Sequence, residues 1–140
     1  MELNGDELEV LARGECLELL ATASIGRVVF TDGGLPVVLP VTFILDEDAV
    51  VFRTRADSRL ATKTSGAVLA FEVDDVEPAL RVGWSVSVCG QATTGPVSDV
   101  LNRRLHAWAP GTRDVAVRIP LTVVTGRRIR PNVKGRMSSM

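Results

Sequence analysis

The feature that most limits how this chain can fold is a series of valine- and isoleucine-rich segments, starting at Ile25, that follow one another across short turns. Parallel strands need long, usually helical crossovers, whereas antiparallel neighbours need only a tight turn. Residues 25–31 read as a strand, Asp32-Gly33-Gly34 can supply positive φ for a hairpin, and residues 35–45 read as the returning strand. Pro36 and Pro40 cannot donate ladder hydrogen bonds, so part of that strand is expected at an edge or against something other than a neighbouring strand. Asp46-Glu47-Asp48 then turns the chain into a third strand over residues 49–54, which completes a meander.

Residues 56–64 are helix-compatible, with Gly66 placed to end the helix. Strand texture resumes over 67–76 and 82–94, on either side of an acidic, proline-containing loop. Residues 97–107 look helical, and a last strand runs over 115–129 with an irregularity implied by Pro120. Ahead of the first strand, residues 6–23 carry apolar side chains at helical spacing, and Gly14 is expected to break or bend that helix. The sum is about six strands in consecutive hairpins with two or three short helices, a mainly β antiparallel barrel. With 140 residues, 46% of them hydrophobic, there is material for one core, so residues 1–140 are expected to form one domain. The tail after Pro131 is expected to be mobile unless a partner holds it.

The formal net charge is −1, so no positive field draws the protein to nucleic acid or to anionic lipid. No apolar run approaches the roughly 20 residues that span a bilayer, and the start MELNGDELEV is acidic, which together point to the cytoplasm. Cys16 and Cys89 lack metal-ligand spacing and are read as small buried apolar residues. Glu72, Asp74, Asp75 and Glu77 are read as a solvated loop rather than a metal site, because strand alternation sends some of them to opposite faces.

The segment VVFRTRADSRLATKT carries the most chemistry. It ends a strand with Arg53, Thr54 and Arg55 and starts a helix with Ser58, Arg59 and Lys63 nearby. A phosphate monoester needs cations for its charge and hydroxyls or amides for its lone pairs, and this segment offers both. Asp57 could cap the helix or pair with an arginine, and a solvated basic turn is an equally simple reading of the same residues.

The order helix ECLELLATA, strand SIGRVVF, strand LPVVLPVTFILD, strand AVVFRT, helix SRLATK, strand AVLAFEVDD and strand GWSVSVCGQA resembles the pyridoxamine 5'-phosphate oxidase-like, FMN-binding split-barrel proteins, in particular small actinobacterial-type members, over nearly the whole chain. The resemblance implies a six-stranded antiparallel split barrel in which Arg53, Thr54, Ser58 and Arg59 hold the FMN phosphate and Lys63 is an outer contact. It places Val41 and Thr42 beside the isoalloxazine ring. It also leaves Trp108, in HAWAPG, either lining the flavin pocket, from its own or a partner subunit, or serving only in packing. One departure is Leu60, where the full oxidases keep a second basic residue. With no long C-terminal extension carrying substrate-gripping Arg and His residues either, pyridoxamine phosphate is not the expected substrate.

Such a barrel fills its interior with its own side chains, so a flavin needs a surface groove, and the resemblance implies that this groove lies between the two chains of a homodimer. The implied activity is that of an FMN-dependent oxidoreductase acting on a small molecule, with NAD(P)H as a possible electron donor; no catalytic protein residue is assigned. The alternatives are a deazaflavin-dependent reductase of the same superfamily, or a module that binds flavin or haem without turnover. Trp84 is read as barrel packing before cofactor stacking, and His106 as a surface or packing residue. Arg127, Arg128 and Arg130 could approach an anionic ligand or pair with acids of the other subunit.

Overall fold

The computed structural model describes residues 8–105 and 112–131. In chain order these form β1 (Leu8–Val10), α1 (Arg13–Ala21), β2 (Ile25–Asp32), β3 (Leu35–Asp46), β4 (Ala49–Thr54), α2 (Arg59–Lys63), β5 (Val68–Glu77), β6 (Val82–Gln91), β7 (Thr93–Pro96), α3 (Asp99–Arg104), β8 (Val115–Pro120) and β9 (Val123–Ile129). All pairings are antiparallel, in the order β1-β9-β6-β5-β2-β3-β4-β8-β7. The mainly β antiparallel architecture with short helices is the one expected. His106, Trp108 and the tail from residue 132 lie outside the described residues.

The described residues form nine strands in place of the six expected, and the difference has local causes. The segment expected as one strand over 82–94 breaks at Ala92, which bonds back to Ala67 and Gly66 (both 2.8 Å), so β6 stays with β5 while β7 crosses to β8. The segment over 115–129 breaks after Pro120, where the Leu121 amide bonds to the Asp48 carbonyl and the chain moves from β4 to β6. Residues 8–10, expected as helix, instead pair with the edge of β9. A helical turn ahead of Gly14 is a weak competitor for three residues that a free strand edge can bond.

The Gly33 and Gly34 turn takes positive φ at both residues (59° and 84°), as a two-residue hairpin requires. The edge expected from Pro36 and Pro40 is present among the described residues: 35–42 of β3 pair with β2 alone, and β3 meets β4 from Phe43 onward. The two halves of the sheet curl toward each other where Gly90 of β6 lies against Pro120 of β8. A Cβ at Gly90 would stand 2.3 Å from the Pro120 carbonyl oxygen, so only glycine fits that seam.

Inward-facing residues of all the longer strands form the main core, among them Val28, Leu69, Val86 and Ile119. Phe71 lies at its centre, edge-on to Phe43 (centroids 4.8 Å apart) and stacked at 6.4 Å on Phe52. Full burial of side chains of this size contributes about 1.5–3 kcal/mol each. Helix α1 adds Cys16 and Leu20, and α2 adds Leu60. The departure at Leu60 is thus a core position. A second cluster of Ala49, Val51, Leu101, Leu105 and Ala116 seats α3 on the other side of β4 and β8.

Candidate functional site

Helix α2 begins where β4 ends, and Ser58 organises the junction. Its hydroxyl donates to the Arg55 carbonyl (2.8 Å) and accepts from the Ala61 amide (3.0 Å). The Thr54 hydroxyl is 2.9 Å away and is left to act as donor to Ser58, whose single proton is already in use. Thr54 and Ser58 therefore come together as the sequence suggests, with Thr54 buried behind the junction. Arg59 and Lys63, four residues apart, share one face of α2, and both are exposed. Arg59 reaches the Asp32 carboxylate of the β2–β3 turn at 3.1 Å, which anchors the helix to that hairpin. Asp57 does not cap the helix. It takes two hydrogen bonds from Arg55, both 3.1 Å, and that guanidinium holds its carboxyl below the usual carboxylate range.

Arg53 lies apart from this group. Strand alternation puts it on the side of β4 opposite Thr54, where its guanidinium donates to the carbonyls of Arg113 (2.9 Å) and Leu105 (3.1 Å) and to Asn102 Oδ1 (3.0 Å). It ties α3 and the chain entering β8 to β4. Val41 and Thr42 register with Gly26 and Ile25 of β2, Val41 packing on the core and Thr42 pointing outward. Both sit at the end of the half of β3 that, among the described residues, has a strand on one side only.

Two charged clusters were not legible beforehand. The Asp46 carboxylate receives Arg104 (3.1 Å) on one oxygen and Arg118 (3.0 Å) on the other, and its pKa is lowered, first by the Arg118 hydrogen bond. Arg27 bridges Glu72 (2.9 Å) and Asp74 (3.0 Å), residues of strand β5 rather than of a loop. Desolvation, and then the hydrogen bond and charge of Asp74, push Glu72 up to about 7. Arg27 stands directly opposite Glu72 in the β2–β5 ladder, a register that only the paired strands reveal.

The remaining expectations resolve as follows. Cys16 is buried and its thiol pKa is raised by burial, but Cys89 is only partly buried, because it points to the outer side of β6. Trp84 packs against the core and also lines a cleft of about 600 Å³ with Val76, Val82, Arg128 and Arg130. Arg128 and Arg130 pair within the chain, with Glu15 (3.5 Å) and Glu9 (2.8 Å). Arg127 donates to the Gly126 carbonyl. Among the described residues no group of three or more His, Cys, Asp or Glu could hold a metal ion, and no helix is long and apolar enough to cross a membrane.

An antiparallel split sheet with a helix-borne pair of cations beside a half-paired strand defines a small split-barrel protein. The pyridoxamine 5'-phosphate oxidase family model matches residues 12–128, and the chain belongs to that family. It is 39% identical over 133 residues to the uncharacterized protein Rv0080 of Mycobacterium tuberculosis, covering 88% of this chain and 86% of that one. The FAD binding protein of Mycobacterium smegmatis is 30% identical, with a TM-score of 0.69 over 88% of this chain and 99% of that one. A Corynebacterium glutamicum protein assigned provisionally as a pyridoxamine 5'-phosphate oxidase is also 30% identical, with a TM-score of 0.73 over 88% and 98% of the two chains.

Proposed function

We propose that this chain is a cytoplasmic flavin-dependent oxidoreductase that holds FMN in a groove between two copies of itself and exchanges electrons with a small molecule. The observation that carries this reading is the exposed cation pair of α2, Arg59 and Lys63, which Asp32 ties to the β2–β3 hairpin. Arg59 and Lys63 supply cations, the Thr54–Ser58 hydrogen bond holds the junction that presents them, and, among the described residues, 35–42 of β3 pair with a strand on one side only. Family membership and the 30% identity to an FAD binding protein support the same cofactor class.

The donor set fits a phosphate monoester. Arg59 spends one nitrogen on Asp32, which leaves further N–H groups of its fork for an anion, and Lys63 adds a mobile charge one turn on. Ser58 rigidifies the junction. Arg53, held by three acceptors of its own chain, contributes by keeping α3 and the start of β8 in place. The free edge of β3 offers backbone donors and acceptors to a flat heterocycle, with Val41 and Thr42 on either side of the strand. Bound flavin would supply the electron transfer itself, and the protein's part is to place and tune it.

The absorption spectrum of the purified protein, followed by titration with FMN, FAD, riboflavin and the deazaflavin coenzyme, tests this reading. FMN binding with oxidation of NAD(P)H in the presence of an electron-poor acceptor supports it; failure to bind any flavin overturns it. Arg59→Ala should weaken FMN about tenfold or more while leaving riboflavin unchanged, the expected loss for one charge-assisted hydrogen bond. Equal losses for the two ligands would remove Arg59 from the phosphate site.

A further inference from the structure

The core side of the sheet runs out at the end of β5, the start of β6 and the end of β9, and there the chain leaves the cleft of about 600 Å³. By strand alternation Asp75, Trp84 and Arg128 continue the side that carries Val73, Val86 and Gly126, the first two buried and the third against Cys16 of α1. The ladders set the three abreast, Asp75 opposite Trp84 and Trp84 opposite Arg128. All of them line the cleft, together with Val82, Ile129 and Arg130. A concave space of this size in the mouth of a barrel, with apolar walls and a few converging polar groups, is the usual form of a small-molecule site.

Each member of this row has bonding capacity that the chain leaves unspent. The Arg128 side chain is only 27% exposed, yet among the described residues its guanidinium makes no hydrogen bond, since Glu15 stands 3.5 Å from Nη1. A planar fork of N–H donors so placed suits a carboxylate, which it can grip through two parallel bonds. Asp75, at the other end of the row, has neither a hydrogen bond nor an ion pair among the described residues. Glu77, beside it, accepts from the Ala79 amide of the following turn. Trp84 is partly buried, packing on the core while lining the cleft. Neighbouring strands stand about 4.8 Å apart, so acid and guanidinium start about 10 Å from each other with the indole between them. One aromatic ring with a substituent at each end spans that interval.

We propose that this cleft is a second ligand site, which takes a planar aromatic monocarboxylate bearing an amine or hydroxyl at its far end. Arg128 holds the carboxylate, Trp84 packs on the ring and Asp75 accepts from the distal donor. An aromatic dianion is rejected, because its second carboxylate would face Asp75 and Glu77. The site is separate from the phosphate grip on α2. Val29 pairs with Ala70, so Asp32 and the helix it anchors lie by the start of β5, and Asp75 stands about 25 Å further along that strand. It therefore stands or falls independently of the flavin reading.

Calorimetric titration of the full-length protein with para-aminobenzoate, alone and in the presence of excess FMN, tests the assignment. The wild type should bind one equivalent per chain with a Kd of about 0.1–1 mM in both cases, a normal affinity for a ligand of this size. Benzoate, which lacks the donor, should bind about fivefold more weakly, and terephthalate, the dianion, more than about tenfold more weakly. Arg128→Gln, with its fold checked by circular dichroism, should weaken para-aminobenzoate about tenfold. Asp75→Asn, at an exposed position, should narrow the gap between terephthalate and para-aminobenzoate about threefold or more. Arg59→Ala should leave para-aminobenzoate binding unchanged. The assignment is overturned by any of three results: no binding up to about 10 mM, binding that FMN displaces or Arg59→Ala weakens, or affinities that neither Arg128→Gln nor Asp75→Asn alters. A protein that takes para-aminobenzoate in this way and binds no flavin keeps this site and loses the flavin reading alone.

Discussion

Asp46 and Glu72 sit in clusters that are mirror images in charge. Around Asp46 two arginines share one carboxylate, and around Arg27 two carboxylates share one guanidinium. The bond lengths are alike, 2.9–3.1 Å in every case, yet the acids respond in opposite directions. Asp46 is held below its ordinary pKa by the Arg118 hydrogen bond, while Glu72 is pushed up to about 7 by desolvation and by Asp74. An ion pair does not by itself say which way a carboxylate shifts. The surplus sign in the cluster and the degree of burial decide it.

The difference predicts opposite pH dependences. A carboxyl whose folded pKa is raised contributes its stability below the unfolded value and loses it as pH rises through the folded value. For Glu72 that window runs from 4.5 to about 7. Glu72→Gln should therefore remove a destabilisation that wild type acquires across this range, making the variant more stable at pH 8 than at pH 5 relative to wild type. The full shift would correspond to about 3 kcal/mol, and the half-exposed Arg27 partner reduces the expected effect to about 1–2 kcal/mol, read from urea midpoints at fixed protein concentration. Equal differences at both pH values would break the comparison at this end.

Asp46 behaves the other way: its contribution is present above the unfolded carboxylate pKa and is lost as pH falls through its lowered folded value. Asp46→Asn should cost about 1 kcal/mol at pH 7, since both arginines and the acid are about a third or more exposed, and the cost should shrink toward pH 3. A cost that grows on acidification would contradict the clamp. Asp57→Asn supplies the lower end of the scale. Its carboxylate and Arg55 also form a close pair, but both are fully exposed, and thermal melts should show no measurable change.

Much of the frame was legible because it depends on short-range chemistry. Gly33 and Gly34 specify their hairpin through positive φ, and Pro36 and Pro40 announce a half-paired strand. The missing strands were of another kind. Ala92 and Leu121 break their segments because they bond to Ala67 and Asp48, residues distant in sequence, and no local pattern encodes those partners. The site divided along the same line. Thr54 and Ser58 meet across four residues of sequence, whereas Arg53 is tied to Asn102 and Arg113, which lie about 50 and 60 positions on. The Arg27–Glu72 contact likewise follows from register, and Asp46 meets Arg118 across β4, which lies between their strands.

The half-paired strand has a consequence for the life of the protein in a crowded solution. A bare strand edge is a template on which other chains can add, the first step toward aggregation. On β3 the exposed stretch is interrupted by Pro36 and Pro40, four residues apart, each removing a donor that an incoming strand would need. An eight-residue edge so interrupted cannot be extended as a continuous ladder, although a compact ligand that needs only one or two backbone groups can still use the gaps between the prolines. The two residues would thus act as a filter, admitting a small molecule to an edge that they deny to polypeptide.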